Sequence, residues 1–391
     1  MAGRGDASYL RRFNSVAVLR ALHRGGPYTI TALAKAAGVS RPTCEEAVSD
    51  LKAQGWITEA DQADGPRAPG RPARRIRFQA EAGYVAGMDI GAHKVLVLVS
   101  DLRGDPLVRH RIDVDPSLGA EERLALAWRT LGTALTRKDD AGPHRLLAAF
   151  VGTPGVVNTA GTVHISSVIP GWSGLKLGDR MRNHLVELGA DPARLRSGVE
   201  NDVNLAALAE HWCGVAQGVD DVVFLHAGHR MGAAALIGGK PHRGRHGAAG
   251  EIGGLSALNW TRSYEELLSH ELAGDDPRRR IERIFTAAAS RADGRAGVLV
   301  DSFARNMAAG IAAMVAAVDP ELVVLGGGVS LAGRVLLDTV HRHLDDQCLF
   351  PQRVTASHLG DEAVALGAIS MGLRSVEEEL FSSDQPLLDA P

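Results

Sequence analysis

Cysteine is nearly missing from this 391-residue chain. Cys44, Cys213 and Cys348 are odd in number, far apart and never in a C-x-x-C pair, which argues against a disulfide framework and a cysteine-built zinc site and fits a reducing compartment. Aromatic residues are scarce as well. No apolar run reaches the roughly 18 residues of a membrane span, and the N-terminus has no basic segment followed by an apolar one, so a soluble cytoplasmic protein with no membrane partner is expected. What is present in quantity is glycine and an ordinary globular mix of 45% hydrophobic and 23% charged residues. The length exceeds one ordinary core and suits two or three domains.

Charge is unevenly placed. Residues 1–78 carry 13 Lys and Arg against 7 Asp and Glu, a charge of +6, whereas the rest carry 30 against 39, or −9. A basic segment ahead of an acidic body suggests a nucleic-acid-binding domain joined to a separate sensor. The local pattern agrees. Apolar residues at helical spacing run from Ser8 to His23; Thr29 caps a second helix, ITALAKAA, that Gly38 ends; Ser40 caps a third, with Pro42 in its first turn. Two helices around a tight Gly-containing turn form a helix-turn-helix. Two β-prone runs, WITEA and RRIRF, then flank DQADGPRAPGRPA, a hairpin with a long basic tip, which predicts a wing and hence a winged helix-turn-helix over residues 1–80. In that geometry Ser40, Arg41, Pro42 and Thr43 approach base edges of double-stranded operator DNA, and Arg67 and Arg71 reach phosphates or a narrow minor groove. Glu45 and Glu46 on the same helix would repel phosphates unless they accept from cytosine amino groups or face away.

From Tyr84 the pattern becomes strand, turn and strand (YVAGMDIG, KVLVLVSD, PLVRHRIDV), then a helix within Glu121–Thr136 and the strand LLAAFVG. A comparable series, DVVFLHAGHRMG, AAALIGG and later LVVLGGG, recurs and closes with a helix from Glu362 to Leu373. This suggests a duplicated α/β body with a cleft between its halves. The acidic tail, SVEEELFSSDQPLLDAP, reads as a frayed terminus. The stretch GVENDVNLAALAE crowds Glu200, Asn201 and Asp202 at the mouth of a helix. A carboxylate there is held ionised and can accept hydroxyl hydrogen bonds, which suits a polyol; a helix cap is the simpler alternative.

The combination of VENDVNLAALAE, GAAGEIG, LVVLGGGVSLAG and GMDIG resembles the ROK family of bacterial repressors, open reading frames and sugar kinases. The likeness covers nearly the whole chain, since the family's repressor branch carries a winged helix-turn-helix ahead of its kinase-like part. It implies an actin-like ATPase (ribonuclease H-like) body over residues 81–391, with one lobe at about 81–200 plus the helix 362–374 and the other at about 201–361. In the family's kinases the aspartate of the END segment is the general base and its neighbouring asparagine holds a hydroxyl, so the resemblance places Asp202 at a base position that is vestigial here. It makes Asn201, Asp202, Glu251 and Glu265 sugar ligands.

Departures from the family pattern are as informative as the matches. The histidine after GEIG is Gly254, the zinc-binding cysteine segment is GLSALNWTRSYEELLS, and the amide of N-x-P-G-W is Val168. No zinc is therefore expected, and a standard aldohexose is a poor fit. On the nucleotide side Asp89, Gly91, Gly228, Gly232, Gly326 and Gly327 persist, but His93 replaces a hydroxyl residue, and His229 and Arg230 obstruct a loop where backbone amides must approach phosphates. Loss of ATP-dependent catalysis is expected. The sequence thus reads as a repressor-like regulator, dimeric or a dimer of dimers, that senses a small carbohydrate-like effector. Its rival is an active ATP-dependent carbohydrate kinase with an appended DNA-binding domain, a phosphotransferase to an alcohol group.

Overall fold

The structure is a computed structural model that describes residues 3–60, 74–136, 142–227, 231–273, 280–290, 293–328, 333–382 and 389–391. Its N-terminal unit comprises α1 (Gly3–Arg24), β1 (Tyr28–Thr29), α2 (Ile30–Ala37), α3 (Arg41–Ala53), β2 (Ile57–Glu59) and β3 (Arg75–Phe78). The caps follow the sequence. The Thr29 hydroxyl accepts the N–H of Ala32 at 3.3 Å, Gly38 closes α2 at φ 70°, and the Ser40 hydroxyl accepts the N–H of Thr43 at 3.3 Å. One face of each helix buries Leu19, Leu22, Leu33, Cys44, Val48 and Leu51 around Trp56 and Phe78. The hairpin is antiparallel, pairing Ile57 with Phe78, and the two-residue β1 adds to its edge through Tyr28 and Ile76. The wing tip, with Arg67 and Arg71, lies outside the described residues.

The body holds β4 (Tyr84–Ile90), β5 (Lys94–Ser100), β6 (Pro106–Asp113), α4 (Ala120–Thr136), β7 (Leu146–Thr153), β8 (Val156–Val157), β9 (Val163–Ile165), α5 (Leu177–Glu187), β10 (Arg196–Asn201) and α6 (Asp202–Cys213). There follow β11 (Val222–His226), β12 (Gly232–Ile237), β13 (Lys240–Pro241), α7 (Trp260–Leu268), α8 (Arg280–Ala289), α9 (Gly294–Val318), β14 (Leu322–Gly326), α10 (Gly333–Asp345), β15 (Val354–Ala356) and α11 (Ala363–Leu380). One sheet runs β10-β7-β4-β5-β6 and the other β15-β14-β11-β12-β13. In each, three antiparallel strands come first and two parallel strands then add beside the first of them. Identical order in two consecutive sheets is the duplication that the sequence only suggested.

Helix α9 is long and apolar enough, by length and composition, to cross a bilayer, which corrects the expectation that no such segment exists. Half of it is buried, with Val300, Phe303, Met307 and Ile311 inside the second lobe's core, and its apolar character is that of a core helix. Helix α11 continues to Leu380, past the Leu373 at which the sequence pattern ends it. The extension is driven by burial: Leu373, Val376 and Leu380 join Val18, Leu22 and Phe78 in one hydrophobic cluster that welds the N-terminal unit to the first lobe. Close helix crossing makes Gly367 necessary, since a Cβ there would lie 1.9 Å from the Leu205 carbonyl oxygen of α6. The chain's end is also docked rather than frayed, because the N–H of Ala390 donates to the Gln54 carbonyl at 2.7 Å and Arg194 donates to that of Asp389.

Candidate functional site

Strands β4, β7 and β10 of one sheet and β11 and β14 of the other end at the interlobe site, the usual place for a ligand on parallel strands. Asn201 caps α6: its Oδ1 accepts the N–H groups of Val203 (2.8 Å) and Asn204 (3.1 Å), and its Nδ2 donates to the Gly155 carbonyl at 3.0 Å. One amide hydrogen is left for a ligand. Asp202 is thus the first helical residue and not the cap. Its Oδ1 accepts the N–H of Val203 at 2.9 Å, and its own backbone N–H also favours the ionised form. The residue as a whole is half-buried but its carboxyl is enclosed; burial, then the charges of Asp89 and Glu251, push its pKa up to about 7, which corrects the expectation that the helix mouth holds it ionised. A carboxyl that titrates there can accept hydroxyl hydrogen bonds when ionised and donate one when protonated.

Glu251 opens a short 3-10 turn, Glu251–Gly254; the residue is exposed overall, and partial enclosure of its carboxyl raises its pKa. Glu265 stands on the exposed face of α7, and no contact among the described residues joins it to Asp202 or Glu251. A Cβ at Gly254 would meet nothing within 4 Å. The family histidine is therefore missing without anything filling its space. Val168 packs against the first lobe's core beside Ile169, so that turn offers no side-chain amide.

The nucleotide side holds Asp89, buried at the end of β4, and Lys94, whose Nζ lies 3.0 Å from Asp89 Oδ2 and donates to the Asp361 carbonyl. Burial raises the Asp89 pKa and Lys94 opposes it. His226, at the end of β11, is kept neutral by burial and then by Lys94, its pKa pushed down to about 4. Behind the turn that contains Gly91, the buried Arg123 of α4 donates to the carbonyls of Gly91 (2.7 Å) and Ala92 (2.8 Å). Gly326 and Gly327 are required by packing: a Cβ would come 2.4 Å from the Phe224 ring at the first and 2.4 Å from the Ala227 carbonyl at the second. These glycines are demanded by the fold and say nothing of a nucleotide. Gly232 begins β12 against Val203, and Gly228 lies outside the described residues. Among the described residues no three His, Cys, Asp or Glu side chains are placed to hold a metal ion.

Sequence reasoning missed Lys94 and His226, although Lys94 opens the quoted KVLVLVSD and His226 precedes Gly228 by two residues. It also missed Arg243, which pairs with the buried Glu200.

On the N-terminal unit, Ser40, Arg41 and Pro42 are exposed and Thr43 is half-buried. The Ser40 and Thr43 hydroxyls bond each other at 2.8 Å. Glu45 pairs with Arg41 at 2.9 Å and Glu46 with Arg11 at 2.8 Å. The carboxylates that would repel phosphates therefore carry their own cations, though such exposed pairs are weak and easily exchanged.

The MarR family's sequence profile matches residues 13–66, and that of the ROK family matches residues 85–374. The xylose repressor of Caldicellulosiruptor bescii is 22% identical over 94% of this chain and 97% of its own. A solved structure of a ROK family transcriptional regulator, described as a homolog of the Escherichia coli MLC protein, superposes with a TM-score of 0.71 at 20% identity, covering 95% of this chain and 98% of that one. A ROK family glucokinase from Streptomyces griseus, solved with glucose and AMPPNP, superposes with a TM-score of 0.59 at 25% identity, covering 75% of this chain and all of that one. With its body matched almost end to end, the chain belongs to the ROK family.

Proposed function

We infer that this protein is a transcriptional regulator, a repressor in the manner of the xylose repressor it is similar to, and that it binds operator DNA through the N-terminal unit and a sugar or sugar-derived effector at the interlobe site. One observation carries this reading: a capped helix-turn-helix shares a core with a body that keeps Asp202 and Glu251 together while the acid on the nucleotide side is already paired with Lys94. The sugar side offers acceptors for hydroxyls. On the nucleotide side, a metal-bound phosphate would have to displace an internal ammonium from Asp89, a cost that an effector sensor need not meet. With Val168 and Gly254 in place of two polar contacts, the effector is a polyol other than a standard aldohexose. The protein works as a cytoplasmic homodimer or dimer of dimers, since an operator of two half-sites requires paired heads.

The rival reading is a sugar kinase with an added DNA-binding domain, and a carboxyl at residue 202 that titrates near 7 favours it, because a general base works best near that value. A thermal-shift screen of sugars, sugar phosphates and related metabolites, run beside an operator gel shift and a coupled ATPase assay, separates the two. An effector raises the melting temperature and changes DNA binding without ATP turnover. Sugar-dependent ATP turnover with no change in DNA binding would establish the kinase instead.

A further inference from the structure

The Glu200 side chain is 3% exposed and sits immediately before Asn201 and Asp202 of the proposed sugar site, with both oxygens engaged by protein groups. Its two oxygens have different duties. Oε1 accepts the backbone N–H of Asn201 at 2.9 Å and the side-chain amide of Asn204 at 3.0 Å, fixing the mouth of α6 that presents Asp202. Oε2 accepts the guanidinium of Arg243, which belongs to the other lobe and follows β13. Arg243 in turn begins the loop that ends at Glu251.

That loop is held by backbone hydrogen bonds near both of its ends. The N–H of His242 is tied to the Ala235 carbonyl at 2.8 Å, the N–H of Ala249 returns to the Arg243 carbonyl at 3.2 Å, and that of Glu251 to Ala248 at 3.3 Å. Its midpoint touches the first lobe: Gly247, at φ 79°, lies so close to β8 that a Cβ would sit 2.1 Å from the Val157 carbonyl. The loop is therefore a strap from the second lobe, anchored across the site at Glu200 and Val157. It places Glu251 where its charge adds, after burial and Asp89, to the rise of the Asp202 pKa.

We propose that Glu200 and Arg243 are positioning residues of the effector site, one carboxylate holding the Asp202-bearing helix mouth with one oxygen and the Glu251-bearing strap with the other. Neither touches the ligand. This rests on the effector reading of the site, and the test separates the two. Hydrogen–deuterium exchange of the full-length protein without any sugar should show residues 244–252 exchanging about tenfold faster in Arg243→Gln, with Arg243→Lys restoring part of the protection. Since Arg243→Gln leaves a lone buried carboxylate and could misfold, the Glu200→Gln/Arg243→Gln double variant, which buries no charge, is measured beside it and should also loosen the strap.

D-xylose, D-glucose and glucose 6-phosphate are then titrated by calorimetry against these variants and Asp202→Asn. The expected result is at least about tenfold weaker binding in Arg243→Gln, partial rescue by Lys and unchanged sugar-free operator binding. Unchanged exchange in residues 244–252 overturns the proposal whether or not any probe binds. So does a bound sugar that Asp202→Asn weakens and Arg243→Gln does not. A bound sugar insensitive to Asp202→Asn refutes the effector site itself.

Discussion

Asp202→Asn is the substitution whose two effects should have opposite signs. The Asp202 carboxyl titrates at about 7 in the folded protein against an ordinary 3.8. The folded state therefore holds this proton more tightly than the unfolded chain does. Its contribution to stability is full below pH 4 and is lost as pH rises through 7. The rise from 3.8 to about 7 sets a ceiling of about 4 kcal/mol, and water in the site together with adjustment of Asp89 and Glu251 reduces the expected gain on removing the charge to about 1–2 kcal/mol at pH 8. The cap is unaffected, because Asn201 supplies it. Melting should thus rise by about 2–4 °C at pH 8 and hardly at all at pH 4.

The same change turns one acceptor oxygen into a donor and removes a charge-assisted bond to a sugar hydroxyl, a loss of about 1.5–3 kcal/mol. The effector concentration for half response on the operator should rise by roughly ten- to a hundredfold, with sugar-free DNA binding untouched. A residue kept for structure gives the opposite pattern. A variant less stable than the parent at pH 8, or one that answers the effector at the parental concentration, would refute the reasoning.

Other measurements address the remaining parts. Arg71→Ala should weaken operator binding and lower the slope of log affinity against log salt by about one contact; an unchanged slope would make the wing passive. Elemental analysis should find no stoichiometric zinc, and chelators should leave melting unchanged; about one zinc per chain would reveal a histidine site that the described residues do not display. His226 titrates at about 4, below its ordinary 6.5, so the parent loses stability as pH falls from 6.5 towards 4, and His226→Asn should flatten that acid limb by about 1–2 kcal/mol in denaturant titrations. Phe381→Ala removes the edge contact with His23 at 5.3 Å and the Arg20 guanidinium stacked at 5.4 Å. It should leave calorimetric sugar binding intact while blunting the effector's influence on the operator gel shift.

What the sequence revealed follows the range of the forces involved. Thr29, Gly38 and Ser40 act on their own helix ends, so their capping roles were legible, as were strands marked by apolar runs such as Val222–His226. Strand β1 has two residues and no pattern to display. The start of α1 at Gly3 was hidden by the poor helix propensity of Gly3 and Gly5, and the last turns of α11 looked like an acidic tail because their burial depends on a partner over 350 residues away. At the site, the sequence placed Asn201 and Asp202 together at the mouth of α6, but that Asn201 and not Asp202 is the cap depends on backbone geometry. Arg243 and Glu200 are 43 residues apart, and no local spacing predicts their pairing.

The route from site to head is short and physically continuous. Lys94 binds Asp89 in the interlobe site and the carbonyl of Asp361 just ahead of α11; Arg109 holds Glu362 at the same end. Asp202 begins α6, and α6 crosses α11 at the close contact of Leu205 with Gly367. At its other end α11 delivers Phe381 to His23 and Arg20, while Arg12 bonds the Ser382 carbonyl at 2.8 Å and the chain terminus reaches Gln54 just after α3. Continuity alone does not make a switch, since a ligand shifts an equilibrium only by binding its two states unequally. The carboxylates supply the inequality. On the proposed function, hydroxyls placed between Asp202 and Glu251 relieve part of the strain that burial, then Asp89 and Glu251, impose on the Asp202 carboxylate, and the arrangement in which Arg243 holds Glu200 is the one that offers both carboxylates. On that reading an effector favours the arrangement in which Arg243 holds Glu200, and α11, tied to Lys94 just ahead of its start and packed on His23 at its end, is the element expected to carry the difference to the N-terminal unit.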